Sequence, residues 1–182
     1  IMIHGMAHAG LAMDDETFIR QAKDAAQAVE THFKDPSSDK MYRIYFQDQA
    51  HQSAFLDDYA WWGRGLVSLF KATGEEHYRN KAIALLDTID RLSLHERSAS
   101  YYYTDTSNLL SIRIRQGKDS GILPGSNAVM AHLLIDLYEI TQDVSWLEQA
   151  KTLTKIFAHD MMAAPLEHSF MIAALMRIND YE

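Results

Sequence analysis

The feature that most constrains the fold of this chain is a helical pattern that occurs three times. Within residues 18–29, apolar side chains recur at helical spacing and polar side chains lie between them. A shift of 60 residues along the chain reaches a second stripe of this kind, and a further shift of 68 residues reaches a third. The repetition indicates an internal repeat built from amphipathic helices. The three stripes are Phe18, Ala22, Ala25, Ala26 and Val29; Tyr78, Ala82, Leu85, Leu86 and Ile89; and Trp146, Ala150, Leu153, Thr154 and Phe157.

A second kind of helix precedes each amphipathic one. These helices are apolar on most sides, which is typical of fully buried helices. They read "IMIHGMAHAGLAM" (1–13), "YAWWGRGLVSLFKAT" (59–73) and "NAVMAHLLIDLYEIT" (127–141). The turns "DDET", "GEEH" and "QDVS" that follow them are short and polar, so each pair is predicted to form an αα-hairpin.

Buried helices wrapped by amphipathic ones predict an all-α fold. We expect a partial α/α toroid of about three and a half hairpins, with an α-solenoid as the alternative. One domain is predicted to span 1–182, as a fragment of a longer protein, because the chain starts like a helix entered partway along. The hairpins are expected at about 1–33, 54–93 and 125–162, followed by a final helix at about 166–179.

The connections between hairpins are long, and long loops in a compact domain are usually functional. Both run from an outer helix to the next inner helix, so they are expected to gather at one end of the toroid. They contain strand-like segments: "MYRIYF" (41–46) in the first connection, and "SYYYT" (100–104) and "LLSIRIRQ" (109–116) in the second. The last two are predicted to pair as a small β-hairpin.

Composition excludes several classes of function. With 17 basic and 25 acidic residues the chain carries a net charge of −8, which argues against binding to nucleic acid or to an anionic membrane. No apolar run approaches the roughly 20 residues that a membrane-spanning helix needs. The absence of cysteine excludes disulfides and thiolate chemistry, and it favours a reducing compartment, so a cytoplasmic location is expected. No cofactor is expected.

Histidines at positions 4 and 8 have the spacing of two metal ligands on one helix face. The segment "HGMAH" lacks the glutamate of a zincin helix, and no third ligand is apparent in the sequence. We therefore predict packed or exposed histidines rather than a metal site.

Two adjacent carboxylates, Asp57 and Asp58, lie at the start of the second apolar helix. Capping of free backbone N–H groups explains one of them, and it also explains Ser126, which lies at the equivalent place in the third hairpin. Capping does not explain the second aspartate. A carboxylate at such a position is suited to acid/base catalysis or to holding a sugar hydroxyl, so Asp57 and Asp58 are the candidate catalytic residues.

The remaining candidates are ligand-binding residues. Trp61 and Trp62 are suited to stacking on a sugar, or to core packing. Strand alternation in "YYY" turns at least one tyrosine outward. Two arginines share one strand face, where they either bind a carboxylate or phosphate or remain solvated edge charges. The candidate binding residues are Tyr59, Trp62, Tyr102, Arg113, Arg115, Ser126 and Asn127.

Two longer segments resemble a known family. "FLDDYAWWGRGLVSLFKATGEEHYRNKA" and "ILPGSNAVMAHLLIDLYEITQDVSWLEQAKTL" resemble the C-terminal region of the YyaL-type, spermatogenesis-associated thioredoxin-domain proteins. The resemblance implies a helical domain of the six-hairpin glycosidase-like superfamily, preceded in that family by a thioredoxin-like domain. Residues 56–60 match its LDDYA motif. Pro124, Ser126 and Asn127 match a Pro-Ser-x-Asn motif, with Gly125 and Ser126 departing from its usual order. The family's Asp before the glycine is replaced here by Ser120, and Asp119 is the residue that could substitute for it by a one-residue shift.

The sequence leaves two functions open. In the first, the chain is an enzyme that binds and hydrolyses or epimerises a carbohydrate by carboxylate acid/base chemistry. In the second, it is a non-catalytic interaction domain that contacts a thioredoxin-like domain or another protein, with both aspartates used as caps. Apolar surface left at the open edges of an incomplete ring predicts self-association.

Overall fold

Paired helices make up most of this computed structural model, which describes residues 1–95, 97–105 and 114–181. The chain divides into two compact units, Ile1–Thr88 and Ile89–Glu182. Eight α-helices and two small antiparallel sheets lie among the described residues. None of these helices is long and apolar enough to cross a lipid bilayer.

The first unit contains two helical hairpins and one β-hairpin. Helices α1 (Met2–Met13) and α2 (Glu16–His32) are followed by strands β1 (Tyr42–Phe46) and β2 (Gln49–Ser53), and then by α3 (Leu56–Thr73) and α4 (Glu76–Ser93), which runs on into the second unit. Helix α1 packs closely on α3: a Cβ added to Gly65 would lie 3.1 Å from Cγ2 of Ile3. Glycine therefore permits this approach of two helices.

The second unit contains the remaining described helices and strands. The short strands β3 (Leu94–His95) and β4 (Ser100–Tyr101) precede helix α5 (Ser126–Thr141) and helix α6 (Val144–Ile156). A short helix α7 (Ala158–Ala163), a 3-10 turn (Pro165–His168) and helix α8 (Ser169–Asn179) complete it. Helix α5 contacts both α6 and α8, so it forms the centre of this unit.

The repeat found in the sequence has a structural counterpart at the hairpin turns. Helices α1, α3 and α5 each end at a residue in the left-handed conformation: Asp14 with φ 53°, Gly74 with φ 70° and Gln142 with φ 58°. These three positions are separated by the same 60 and 68 residues as the apolar stripes. Asp15 and Asp143 then cap the next helix by accepting the backbone N–H of Thr17 and Ser145.

Strand prediction was right for the first long connection. The segment 41–46 contains β1, which pairs with β2 through the two-residue turn Gln47–Asp48. Both turn residues have positive φ, 50° and 57°, as the twist-matched turns of tight hairpins require.

The second connection contains a strand pair that was not predicted, since β4 pairs with β3. The predicted pairing of 100–104 with 109–116 falls largely on residues 109–113, which lie outside the described residues; in the described part, the Tyr103 backbone N–H donates to the Ile114 carbonyl at 2.8 Å. The side chain of Asn127 also bonds to Tyr101: its Oδ1 accepts the Tyr101 N–H and its Nδ2 donates to the Tyr101 carbonyl, both at 2.9 Å. At this residue a side chain thus makes the hydrogen bonds that a neighbouring strand would make.

Burial follows the prediction for two of the three inner helices. Helices α3 and α5 are buried along most of their length, from Leu56 to Leu69 and from Ser126 to Leu137. Helix α1 differs, since only Ala7 and Gly10 are buried and Met2, Leu11 and Met13 are exposed. Within its unit, α1 packs mainly against α2 and α3, which leave these three side chains exposed.

Candidate functional site

Asp58 occupies the third position of helix α3, which begins three residues earlier than the sequence predicted. Its Oδ2 accepts the backbone N–H of Phe55, the residue before the helix, at 2.9 Å, and an Arg43 N–H at 2.8 Å. The first of these contacts is one half of a capping box, so Asp58 is the capping aspartate. Burial raises the pKa of Asp58, and the neighbouring charge of Asp57 raises it further, against the opposing effects of the Phe55 N–H and Arg43.

Asp57 is placed differently although it is the adjacent residue. Its Oδ1 lies 3.3 Å from Nη1 of Arg43, and its side chain is 20% exposed. No backbone N–H of the described residues is capped by this carboxylate. Capping therefore explains Asp58 and leaves Asp57 without a role in the helix start.

Arg43 joins the two carboxylates and was missed by the sequence analysis. It lies on β1, and one guanidinium nitrogen contacts both aspartates while the group stacks 5.0 Å from the centre of the Phe55 ring. The available signal was a single arginine within the apolar strand "MYRIYF" in the connection that leads to LDDYA. We define the carboxylate cluster as Arg43, Asp57 and Asp58.

Two predicted binding residues of the same motif lie in the core. Tyr59 is 4% exposed, and its hydroxyl accepts the backbone N–H of Met41 at 2.9 Å; Trp62 is 5% exposed. Trp61, by contrast, is half-buried, with its ring 5.7 Å from the ring of His4. The outward aromatic of this pair is thus Trp61, because the helix turns Trp62 inward.

The N-terminal histidines take part in packing contacts. Nδ1 of His4 lies 2.7 Å from the Ser68 hydroxyl, and the rings of His4 and His8 meet edge to face at 4.5 Å. Among the residues that the structure describes, no group of three His, Asp or Glu side chains is arranged to hold a metal ion.

In the second unit, Asn127 and Ser126 are fully buried at the start of α5. Besides its two bonds to Tyr101, Asn127 donates to the Gln116 carbonyl at 3.1 Å. The Ser126 hydroxyl also donates to that carbonyl, at 3.3 Å, and does not cap the helix. The predicted cap at Ser126 is therefore wrong, because α5 begins at Ser126 itself and the hydroxyl turns back toward the preceding loop.

Tyr102 and Arg115 lie in the loop before α5. Arg115 donates from Nη1 to the hydroxyls of Ser98 and Ser100 at 3.1 and 3.4 Å, and the Tyr102 ring meets His95 edge to face at 5.0 Å. Arg113 lies outside the described residues. The structure thus groups Asp57, Asp58, Tyr59 and Trp62 in the first unit and Tyr102, Arg115, Ser126 and Asn127 in the second.

Asp119 ties the loop before α5 to the start of α8. Its carboxylate accepts the backbone N–H of Gly125 and the Ser169 hydroxyl, each at 2.9 Å, and the backbone N–H of Phe170 at 3.2 Å. These contacts are those of a residue that positions two helix starts.

A polar cluster between α5 and α8 was not predicted. Nη2 of Arg177 contacts Asp136 and Glu139, each at 2.7 Å, and Nη1 lies 2.9 Å from Nδ1 of His132. The Tyr181 hydroxyl donates to Glu139, and burial together with this carboxylate raises the pKa of Tyr181 to about 12. His132 and Asp136 are buried, so the cluster anchors α8 to α5.

Solved structures define the class of the fold. An α-mannanase of family GH76 from Bacteroides thetaiotaomicron superposes on 100% of this chain and 51% of its own, with a TM-score of 0.77 and 13% identity. A cellobiose 2-epimerase from Spirochaeta thermophila covers 86% of this chain and 41% of its own, with a TM-score of 0.70 and 15% identity. The chain therefore has the α/α-toroid, six-hairpin glycosidase-like fold, as predicted.

The sequence comparison then identifies relatives. No protein-family model matches the chain. Spermatogenesis-associated protein 20 of Mus musculus is 29% identical over 185 residues, which cover 96% of this chain. The chain is thus a homologue of the proteins of that name, and the predicted family resemblance is confirmed. It spans 23% of the length of this relative, and the thioredoxin-like part of the resemblance lies outside it.

Proposed function

We propose that the carboxylate cluster at the first turn of α3 contacts a carbohydrate. The observation that carries this proposal is the division of labour between the two aspartates. Asp58 caps the helix, whereas Asp57 caps none of the described backbone N–H groups and is held by a 3.3 Å contact to Arg43; both side chains are partly exposed, at 20% for Asp57 and 28% for Asp58. A carboxylate and a guanidinium side by side supply both an acceptor and a donor for vicinal sugar hydroxyls.

Asp58 is the better acid/base group of the pair. A carboxyl with a raised pKa holds its proton closer to neutral pH, where general acids and bases work best. The two carboxylates together do not suit an inverting glycosidase, whose carboxyl groups lie about 6.5–9.5 Å apart on opposite sides of the sugar. Here they are adjacent residues of one helix turn that contact the same nitrogen of Arg43, at 3.3 and 2.8 Å, rather than two groups that flank a glycosidic bond as in inverting or retaining enzymes. Proton transfer by a single carboxyl, as in epimerisation, is therefore the favoured chemistry.

The fold comparison supports a carbohydrate as the ligand class. The α-mannanase and the cellobiose 2-epimerase that share the fold are named for reactions on sugars, although 13–15% identity transfers no residue roles. A cytoplasmic location also remains a proposal.

A titration of the chain with cellobiose, mannobiose, glucose and mannose tests this function. At least one sugar is expected to bind saturably and to raise the unfolding midpoint, because a ligand of the native state stabilises it. Asp57→Asn is expected to weaken that binding at least tenfold while leaving the midpoint of the free chain unchanged. The control is Asp24→Asn, an exposed aspartate of α2.

Two results would overturn the proposal. Either none of the four sugars binds, or Asp57→Asn binds the sugar as tightly as the Asp24→Asn control. For Asp58→Asn we expect normal binding of the sugar with loss of its turnover. That result would show that Asp58 takes part in catalysis and is not needed to bind the sugar.

The second candidate function is a non-catalytic interaction domain. Large apolar side chains are exposed near the C-terminal end of the second unit, with Met162 at 85% and Leu166 at 91%. Such residues are suited to a contact with a second copy of the chain or with a thioredoxin-like domain. This alternative predicts self-association in sedimentation velocity that Leu166→Ser weakens, with no response to the sugars.

A further inference from the structure

The second unit contains a cavity of about 400 Å³, within the range of small-molecule sites. It lies beside the loop 114–118 and the segment that joins α6 to α8, and every residue lining it belongs to the second unit. Five side chains give it chemical character: Arg115, Lys118, Phe157, Asp160 and His168.

His168 is the buried polar side chain of the cavity wall, at 6% exposure. Its Nδ1 lies 3.0 Å from the Ala164 carbonyl oxygen. Because a carbonyl only accepts, the hydrogen is on Nδ1, and in the neutral ring Nε2 is a hydrogen-bond acceptor. Within the described part of the chain, His168 makes no second hydrogen bond, and Nε2 is not among the side-chain atoms sealed from solvent without a partner. The acceptor therefore remains accessible to a ligand.

Arg115 supplies a positive charge at the cavity. Its Nη1 donates to the two neutral hydroxyls of Ser98 and Ser100. No carboxylate among the described residues lies within ion-pair distance of it. Lys118 is different, since its Nζ is paired with Glu167 at 2.6 Å. The cation that is open to an anionic ligand is consequently Arg115, whose planar guanidinium suits phosphate or carboxylate oxygens.

The remaining wall fits the body of a sugar. The Phe157 ring approaches the backbone so closely that a Cβ on Gly117 would meet it, so the ring is fixed as an apolar wall. The Asp160 side chain is exposed and, like Nε2 of His168, can accept a hydroxyl hydrogen bond. The cavity thus offers two hydrogen-bond acceptors, an apolar wall and one cation without a carboxylate partner. A ligand with several hydroxyls and one acidic group matches these features.

We infer that this cavity binds a small anionic sugar, with the acidic group on Arg115 and hydroxyls on His168 and Asp160. The inference does not rest on the carboxylate cluster, which belongs to the first unit. A phosphate ester and a carboxylate share the required chemistry, and the experiment distinguishes them.

The test is calorimetric titration of the whole chain with glucose 6-phosphate, glucuronate, glucose and inorganic phosphate. We expect saturable binding of one of the two anionic sugars, at least tenfold tighter than binding of glucose or of phosphate alone. Arg115→Gln is expected to weaken this binding at least tenfold, and His168→Gln to weaken it about fivefold or more. Arg20→Gln, which removes an exposed arginine of α2, is the matched control and should leave it unchanged.

A cavity-filling variant guards against misfolding as an explanation. Ala163 lines the cavity but is an exposed residue of α7, so Ala163→Leu should keep the unfolding midpoint while abolishing binding. Three outcomes would each overturn the inference: no binding of either anionic sugar, equal binding of inorganic phosphate and the anionic sugar, or unchanged binding by Arg115→Gln and Ala163→Leu. Loss of neutral-sugar binding in Asp57→Asn would not affect binding of the anionic sugar to this cavity, so failure of one proposal does not entail failure of the other.

Discussion

At the scale of single residues, Arg43 explains how two adjacent aspartates are tolerated at one helix start. Both carboxylates favour the positive end of the helix dipole, but they also repel each other. One guanidinium that contacts both offsets the repulsion. Because Asp58 is also partly buried, its charge remains costly even with this partner, and its pKa stays raised.

The raised pKa of Asp58 gives a pH dependence whose sign follows from linkage. Above its ordinary value of 3.8, the folded chain holds the Asp58 proton more tightly than the unfolded chain does. Stability from this group is therefore full below pH 3.8 and is lost as the pH rises through the folded pKa. Asp58→Asn keeps an acceptor for the Phe55 N–H, but its amide does not ionise, so the variant does not lose this stability as the pH rises. Urea unfolding at pH 3.5 and pH 7 should show the variant gaining stability relative to the parent at the higher pH.

Asp35 provides the opposite sign as a control. Hydrogen bonds from the backbone N–H and hydroxyl of Ser37 lower the pKa of Asp35, so its stabilisation is present at neutral pH and is lost on acidification. Asp35→Asn should therefore lose stability relative to the parent at pH 7 compared with pH 3.5. If Asp58→Asn instead lost stability relative to the parent between pH 3.5 and pH 7, or showed no change, a raised pKa of Asp58 in the folded chain would be contradicted.

Residue-level prediction from sequence reaches positions that a motif marks and misses a residue whose partner is distant in the chain. Asp57 and Asp58 stay predicted site residues, singled out because a doubled charge at a helix start exceeds what capping needs. Arg43 was missed because its contact depends on how β1 folds back on α3, which local spacing does not encode. Tyr59 and Trp62 were proposed as ligand contacts, yet the helix phase directs both inward.

At the scale of elements, the Asn127 side chain bonds to β4 at Tyr101 as a neighbouring strand would. Its amide makes the same N–H to O and O to H–N exchange that an antiparallel strand would make, and it adds a bond to the Gln116 carbonyl. The side chain is completely buried and bonds to both backbone groups of Tyr101, whereas the Gln116 carbonyl also accepts from the Ser126 hydroxyl and the Asn127 backbone N–H.

Replacing Asn127 should expose that dependence. Asn127→Ala leaves the Tyr101 N–H and the Tyr101 carbonyl without this partner in the interior, which we expect to cost about 2–4 kcal/mol of the free energy of unfolding. Asn127→Asp should cost a similar amount, because a carboxylate faces two carbonyl oxygens. Asn80→Ala, at an exposed position of α4, should change stability by less than about 0.5 kcal/mol. Equal urea midpoints for Asn127→Ala and Asn80→Ala would rule out the strand-like role.

Helix α1 offers a matched pair of glycines. A Cβ at Gly5 would meet no atom within 4 Å, whereas a Cβ at Gly10 would lie 2.6 Å from Cγ1 of Ile19 and 3.1 Å from the Asp15 carbonyl oxygen. Gly5→Ala should therefore stabilise the chain by about 0.5–1 kcal/mol through helix propensity. Gly10→Ala should destabilise it by about 1–3 kcal/mol through overpacking at the α1–α2 turn. Thermal unfolding of both variants checks the pair, and shifts in the same direction would contradict this packing.

The elements themselves were largely predictable, and the exceptions have physical causes. The apolar stripes and their offsets located the hairpins because helical periodicity is a local property of the sequence. The pairing of β4 with β3 was missed, since Leu94 and His95 directly follow the apolar stripe of α4 and carry no strand signal of their own. The break between α6 and α7 was also missed. It lies at Phe157, whose backbone has φ −96° and ψ 7°, and no proline or glycine marks this position in the sequence.

At the scale of the whole molecule, the shared fold does not by itself fix a function. The chain aligns along 96% of its length with a relative of which it covers 23%, and it superposes on sugar-acting enzymes at 13–15% identity. What distinguishes this chain within the fold is therefore its own side chains. The carboxylate cluster in the first unit and the Arg115–His168 cavity in the second are independent hypotheses, each with its own variants.

Charge is the property of the whole molecule that leads to a direct test. An excess of 8 acidic residues repels polyanions, and binding to DNA or to anionic lipid requires clustered lysine and arginine to release counterions. Arg115 is a single cation in the cavity. It suits a small anion, but one positive charge is too few to hold the phosphate backbone of a nucleic acid.

We expect no binding of a 20-base-pair duplex in fluorescence anisotropy, or of phosphatidylserine vesicles in flotation, at about 50 mM salt, where such electrostatic binding is strong. Binding of the duplex by the parent chain that weakens steeply with salt would show that local basic surface outweighs net charge, and it would reopen nucleic acid as a partner.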